Sequence, residues 1–212
     1  KKKNVSPGQK FDFDVYIEQN LLSYFDPSIK IEPETHIKGF IDSDANVLTL
    51  DLDTPGIAYA GIELFQSKVS LNTLEASNNL NAKIDSLRVS GITVKDINVR
   101  SIPKNDTLLV ETDFKIGDKS PVDFDLNLYH TVSDKKEYYI FGFSPSTIKI
   151  DSTNWHINPN NDKQSNRLIL NPVKKSFMVQ DLVLESDEQH LDISGVFYEK
   201  ENFNFDANFN DL

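Results

Sequence analysis

Gly91-Ile92-Thr93-Val94-Lys95-Asp96-Ile97-Asn98-Val99 carries apolar residues at Ile92 and Val94, slips by one place across Lys95-Asp96, and resumes at Ile97 and Val99. A two-residue apolar period marks a strand with one buried face, and the slip is a break in its phase. The same figure stands upstream in Gly61-Ile62-Glu63-Leu64, Phe65-Gln66, Ser67-Lys68-Val69-Ser70-Leu71. It returns downstream in Phe177-Met178-Val179, Gln180-Asp181, Leu182-Val183-Leu184, and more weakly in Leu50-Asp51-Leu52, Asp53-Thr54, Pro55-Gly56-Ile57-Ala58-Tyr59. An uncorrected slip would send every later side chain to the other face. The figure therefore predicts a β-bulge at each break, bending one sheet repeatedly in the same direction. The expected fold is all-β, an elongated, curled antiparallel sheet.

The flanking sequence agrees. Phe11, Phe13, Val15 and Ile17 alternate with Asp12, Asp14, Tyr16 and Glu18, giving a strand with one apolar and one wet face. Alternation continues at Ile37 through Ile41, at Leu48, Leu50 and Leu52 beyond the Asp42 to Asn46 turn, and at Leu80, Ala82 and Ile84. Leu108, Val110, Thr112, Phe114 and Ile116 follow the Pro103 to Asp106 turn. Val122-Asp123-Phe124-Asp125-Leu126-Asn127-Leu128-Tyr129 is the cleanest alternation in the chain, and Ser133 to Lys136 closes it into a hairpin. Tyr138 to Phe143 is apolar on both faces, so that strand is covered on both sides or meets something else. Asn158 to Lys163 is a polar loop, and Leu191, Ile193, Gly195 and Phe197 lead to Phe203, Phe205, Ala207 and Phe209. These segments predict roughly fourteen to eighteen strands with short connections. At most one short helix fits, near 18–26, with Leu21, Leu22 and Phe25 on one side and Pro27 as its stop.

Composition narrows the functions. The chain of 212 residues has a formal net charge of -11, which argues against nucleic acid or an anionic membrane surface as partner. Any lipid contact would be apolar. No cysteine is present, which removes thiol chemistry and disulfides. No apolar run approaches the ~18 residues of a membrane-spanning helix. We read the chain as an excised, single β-rich segment, 1–212, of a longer protein, because its start lacks an initiator methionine and an apolar signal core.

No catalytic constellation stands out. Asp12 and Asp14, Asp51 and Asp53, and Asp123 and Asp125 place carboxylates two apart on a strand face, a separation of about 7 Å that could serve acid-base work. Each pair lies opposite an apolar row with no partner base, which is the pattern of a solvated outer face. Asp42-x-Asp44-x-Asn46 resembles a calcium loop, but Val47 stands where such a loop needs glycine. His36, His130, His156 and His190 are scattered singly and read as surface residues, not metal ligands. There is no nucleophile elbow and no phosphate loop. Neither enzymatic activity nor a metal or cofactor is expected. Tyr16, Tyr129, Tyr198 and Trp155 raise the alternative of an outward aromatic platform for sugars.

The recurring apolar figure resembles the AsmA-like family of the Gram-negative envelope. Val179 to Leu184 followed by Gln189-His190-Leu191-Asp192-Ile193-Ser194-Gly195, and the closing Phe203 to Leu212, carry the resemblance. Thr35-His36-Ile37-Lys38-Gly39 and Asn154-Trp155-His156-Ile157-Asn158-Pro159-Asn160-Asn161 look most like its TamB branch, the translocation and assembly module subunits. The resemblance implies a long periplasmic protein, anchored in the inner membrane by a segment not present here, whose sheet curls into a β-taco with an apolar groove. It implies phospholipid transport between inner and outer membrane, and a link to outer-membrane protein assembly and secretion through a BamA-family barrel partner. On this reading Phe11, Phe13, Val15, Ile17, Leu48, Leu50, Val122, Phe124, Leu126, Leu128, Leu191, Ile193, Phe203 and Phe205 line the groove and hold acyl chains. The alternatives are a closed β-sandwich that binds a glycan or protein ligand, and a structural spacer.

Overall fold

A computed structural model describes residues 8–19, 24, 26–74, 79–117, 120–133, 137–198 and 204–210. The alternating stretches form sixteen strands, and no α-helix occurs among the described residues. Every strand pair with an assigned register is antiparallel. The helical turn expected near 18–26 falls largely outside the described residues. The chain gathers into two compact units, one of Lys1–Pro103 with Phe114–Lys119 and one of Lys104–Asp113 with Ser120–Leu212.

In the first unit the strands pair in the order β1 (Lys10–Ile17), β3 (Thr35–Asp42), β4 (Val47–Tyr59), β5 (Ile62–Asn72), β6 (Asn79–Val89) and β7 (Ile92–Lys104), whose last residue belongs to the second unit. The short β2 (Ile29–Ile31) takes the place of β3 against the far end of β4. The phase slip expected as a set of separate bulges is here one shared line. Thr54 pairs with Ser67 and Gly56 with Phe65; Phe65 pairs with Ser86, and Ser86 with Lys95, so the register is the same on both sides of the break. Four neighbouring strands slip at the same level, and no residue is left over in any one of them. Gln66 and Asp96, each the second residue of its break, take left-handed φ values of 43° and 53°. A left-handed residue interrupts the two-residue alternation by one place, which lets the apolar rows on either side of the line share one face.

Backbone groups disturbed along this line are met by small hydroxyl side chains. Thr35 and Thr54 share a hydrogen bond of 2.6 Å, Thr35 donates to the carbonyl of Glu32 at 2.7 Å, and Ser67 donates to that of Phe65 at 3.2 Å. These three are the largest fully buried side chains. Among the described residues only Ile31, Ile97, Tyr129 and Ile157 are buried apolar side chains, whereas nine polar ones are buried. Burial is therefore deepest at the bends and turns, not in an oily core.

In the second unit β9 (Val122–Val132) and β14 (Ser176–Glu185) are bridged by two tiers. One tier is β10 (Tyr139–Phe143) with β13 (Arg167–Asn171), the other β11 (Ser146–Ile150) with β12 (Thr153–Ile157). β15 (His190–Tyr198) and β16 (Asn204–Asn210) extend the sheet beyond β14, and β8 (Thr107–Ile116) is divided between the units. The slip at Gln180-Asp181 is the expected bulge: Val179 pairs with Gly195 but Leu182 with Ile193, and Asp181 has φ 46°. Asn166 closes it, donating its backbone N–H to the carbonyl of Asp181 at 3.0 Å and accepting that of Val183 on Oδ1 at 2.9 Å.

The Asp42 to Asn46 turn is a hairpin turn, as its missing glycine implied. Asp42 Oδ1 accepts the N–H groups of Asp44 and Ala45, and Oδ2 lies 2.8 Å from Lys10 Nζ on β1. The hydrogen bond from Lys10, helped by the Ala45 N–H, holds the Asp42 carboxyl below its ordinary pKa, and Asp42 in turn raises that of Lys10. A depressed carboxyl stabilises the fold above its unfolded pKa and loses that contribution as pH falls through the folded one; the raised ammonium loses its share only as pH climbs through the folded lysine value. Asp42→Asn should lower the urea midpoint at neutral pH, and its deficit against the parent chain should shrink as pH is brought down to about 3. A deficit that stays constant with pH would show that the pair does not set this dependence.

Candidate functional site

Directly opposed residues of an antiparallel ladder share a face, so the registers show which side chains meet. In the first unit Phe11 opposes Ile41 and Ile41 opposes Leu48; Phe13, Gly39, Leu50, Leu71 and Leu80 form the next row; Val15, Ile37, Leu52, Val69, Ala82 and Val99 the third. Ile17 opposes Thr35 at the end of the same face. Phe11, Phe13, Val15, Ile17, Leu48 and Leu50 thus lie together. The reverse face carries Tyr16, His36, Asp53, Lys68, Lys83 and Asn98 as one row, with His36 Nε2 2.6 Å from Asp14 and Lys68 Nζ 2.8 Å from Asp53.

The second unit repeats this arrangement. From β9 outward, His130 opposes Phe141, Phe141 opposes Leu168, Leu168 opposes Val179, Val179 opposes Gly195 and Gly195 opposes Phe205. The unbroken alternation of Leu191, Ile193, Gly195 and Phe197 on β15 meets Leu184, Leu182, Val179 and Phe177 on β14. The β14 bulge therefore keeps all four β14 side chains on one face despite their change of phase. Val122, Phe124, Leu126 and Leu128 belong to this face through β9's own alternation, with Leu128 opposing Phe143 and Phe124 opposing Ile148. Leu191, Ile193 and Phe205 share it, while Phe203 lies outside the described residues.

Both faces are incompletely covered. Phe11 is 60 %, Val15 45 % and Phe205 40 % exposed, and Ile41, Phe141 and Phe209 are also exposed. Most of the remaining row residues are half-buried. Three of the aromatics pack across a glycine of the neighbouring strand: Phe13 over Gly39, Tyr129 over Gly142, Phe205 over Gly195, each at a position where a Cβ would overlap the ring. A glycine in a strand interior lacks a side chain to pack, and an aromatic ring laid over it restores the lost contact.

Several readings need correction. Tyr129 is 8 % exposed, so it cannot belong to an outward sugar platform, and Trp155 lies on the apolar face opposite Ile148. His130 is half-buried, and its ring stands on that same face, 4.6 Å from Phe141 and 6.0 Å from Tyr139 between centroids. Ile148 and Trp155, absent from the predicted apolar rows, also belong to the face, as do Phe177 and Phe197 of those rows. The two phenylalanines stack at 5.0 Å across β14 and β15. Among the described residues, no group of three or more metal-ligating side chains comes together. No family model, curated protein or solved structure matches the chain.

Proposed function

We propose that this chain is a lipid carrier of the AsmA-like, TamB-type class, in which acyl chains lie on the apolar face of each unit. The observation that carries this reading is the incomplete cover over those faces, with phenylalanine, valine and isoleucine side chains exposed in rows that the ladder registers make continuous within each unit. Moving a two-chain lipid through water exposes about thirty methylenes at ~0.8 kcal/mol each, on the order of 24 kcal/mol. An apolar strip that travels with the chains removes most of that barrier. The polar, charged reverse face stays in water, and the headgroup follows at the margin, so no headgroup-specific side chain is required. In the setting of the AsmA-like family this serves phospholipid transport across the periplasm and outer-membrane biogenesis, with the protein acting as a carrier and not as a catalyst.

Titrating the chain with a phospholipid bearing an environment-sensitive fluorophore on one acyl tail tests the reading. Saturable brightening below the lipid's own aggregation threshold is the expected result. A signal no larger than that given by an equal mass of a protein without an apolar face would count against it.

A further inference from the structure

We propose that a cleft on the other face of the second unit binds a small organic anion, a phosphate or carboxylate group carried on an apolar or ring-bearing body. Tyr129, Thr131 and Ile140 alternate with the apolar-face residues Leu128, His130 and Phe141, and so stand on the reverse side of β9 and β10. Together with Leu109 they give the cleft apolar and aromatic walls, and Lys104, Lys163 and Arg167 bring three cations to it in a chain whose formal net charge is -11. Its volume of about 560 Å³ is that of a site for a small molecule.

Two of the cations, Lys163 and Arg167, are held in place by the fold. Between β12 and β13 the chain leaves the sheet over 158–166, and buried Asn158 fastens this excursion by donating to the carbonyls of Phe143 at 2.6 Å and Asp162 at 2.9 Å. Its Oδ1 accepts the Asp162 N–H at 2.7 Å. Lys163 is thereby carried to 5.4 Å from the centre of the Tyr129 ring, with one of its N–H groups given to Asn161. Arg167 opposes Gly142, the residue whose missing side chain leaves room for the Tyr129 ring. Its Nη2 donates to Gln164 and Gln180, but its buried Nε–H has no acceptor among the described residues. Burial pushes the Tyr129 pKa up, Arg167 opposes that, and Asp162 reinforces it, so the phenol keeps its proton. Asp162 is the carboxylate in this group, and its Oδ1 already accepts the Gln164 N–H.

The site does not rest on the lipid reading, because it lies on the opposite face. Calorimetric titration of the whole chain with phenyl phosphate, inorganic phosphate and dihexanoyl phosphatidate tests it. We expect saturable binding of phenyl phosphate or the phosphatidate, tighter than inorganic phosphate, and weakened about tenfold by Lys163→Gln or Lys104→Glu or by raising salt from about 50 to about 300 mM. Binding of phenyl phosphate assigns the site to soluble anions, and binding of the phosphatidate alone assigns it to a lipid headgroup. Either supports the site. No saturable binding of any probe, or affinities unchanged in both lysine variants, would overturn it, and inorganic phosphate binding as tightly as phenyl phosphate would overturn the apolar part. Trp155 fluorescence checks that the variants are folded, and phenyl phosphate binding should survive Ile193→Asp on the other face.

Discussion

Gly142→Val should lower the thermal midpoint of the second unit by about 8–20 °C, read from Trp155, the chain's only tryptophan, which lies in that unit. The Tyr129 ring occupies the space where a side chain at 142 would stand, so the substitution must displace either the ring or the strand. Overpacking of this kind costs about 1–3 kcal/mol, and returning a mostly buried tyrosine to water adds about 1–2 kcal/mol. A double-mutant cycle isolates the cause. Once Tyr129→Ala has removed the ring, adding Gly142→Val should cost much less than it does alone. Equal costs in both backgrounds would mean that the ring and the glycine are not coupled.

Ile193→Asp should abolish most lipid uptake, by about tenfold or more, whereas Ser194→Asp on the same strand should leave it nearly unchanged. Ile193 opposes Leu182 on one side and Ala207 on the other, within the second unit's apolar face. A carboxylate there must either be covered by hydrocarbon, at a cost of several kcal/mol, or stay hydrated and break the strip. Ser194 opposes Asp206 and points to the reverse side. The two variants add the same charge to adjacent positions, so a difference between them reports the face and not the net charge. Equal loss in both would place the effect on strand stability instead.

The strands and their apolar rows could be read from the sequence because strand alternation is local: Phe11 to Ile17 and Val122 to Leu128 declare their faces without any knowledge of neighbours. The bulge at Gln180-Asp181 could be read in the same way, since a phase slip in one strand against the regular β15 has one geometric remedy. The first unit differed because its break is a property of four strands at once. A slip in β5 looks the same in sequence whether β4 and β6 slip beside it or not, so only the register shows that no residue is left over. The excursion over 158–166 gave no periodic signal at all. Its asparagines work through buried amide hydrogen bonds, and the approach of Lys163 and Arg167 to Tyr129 depends on how that excursion folds back. The glycines under Phe13, Tyr129 and Phe205 were equally hidden, since the pairing of an aromatic with a glycine exists only across strands.

The central claim is that hydrocarbon covers faces which the protein leaves open. Native mass spectrometry of the 212-residue chain, purified from a Gram-negative host without detergent, puts it to the most direct trial. The account predicts adducts with the masses of two-chain phospholipids, present in the parent chain and in Ser194→Asp and depleted in Ile193→Asp. A spectrum of bare protein alone, from a chain that also fails to take up added phospholipid, would contradict it.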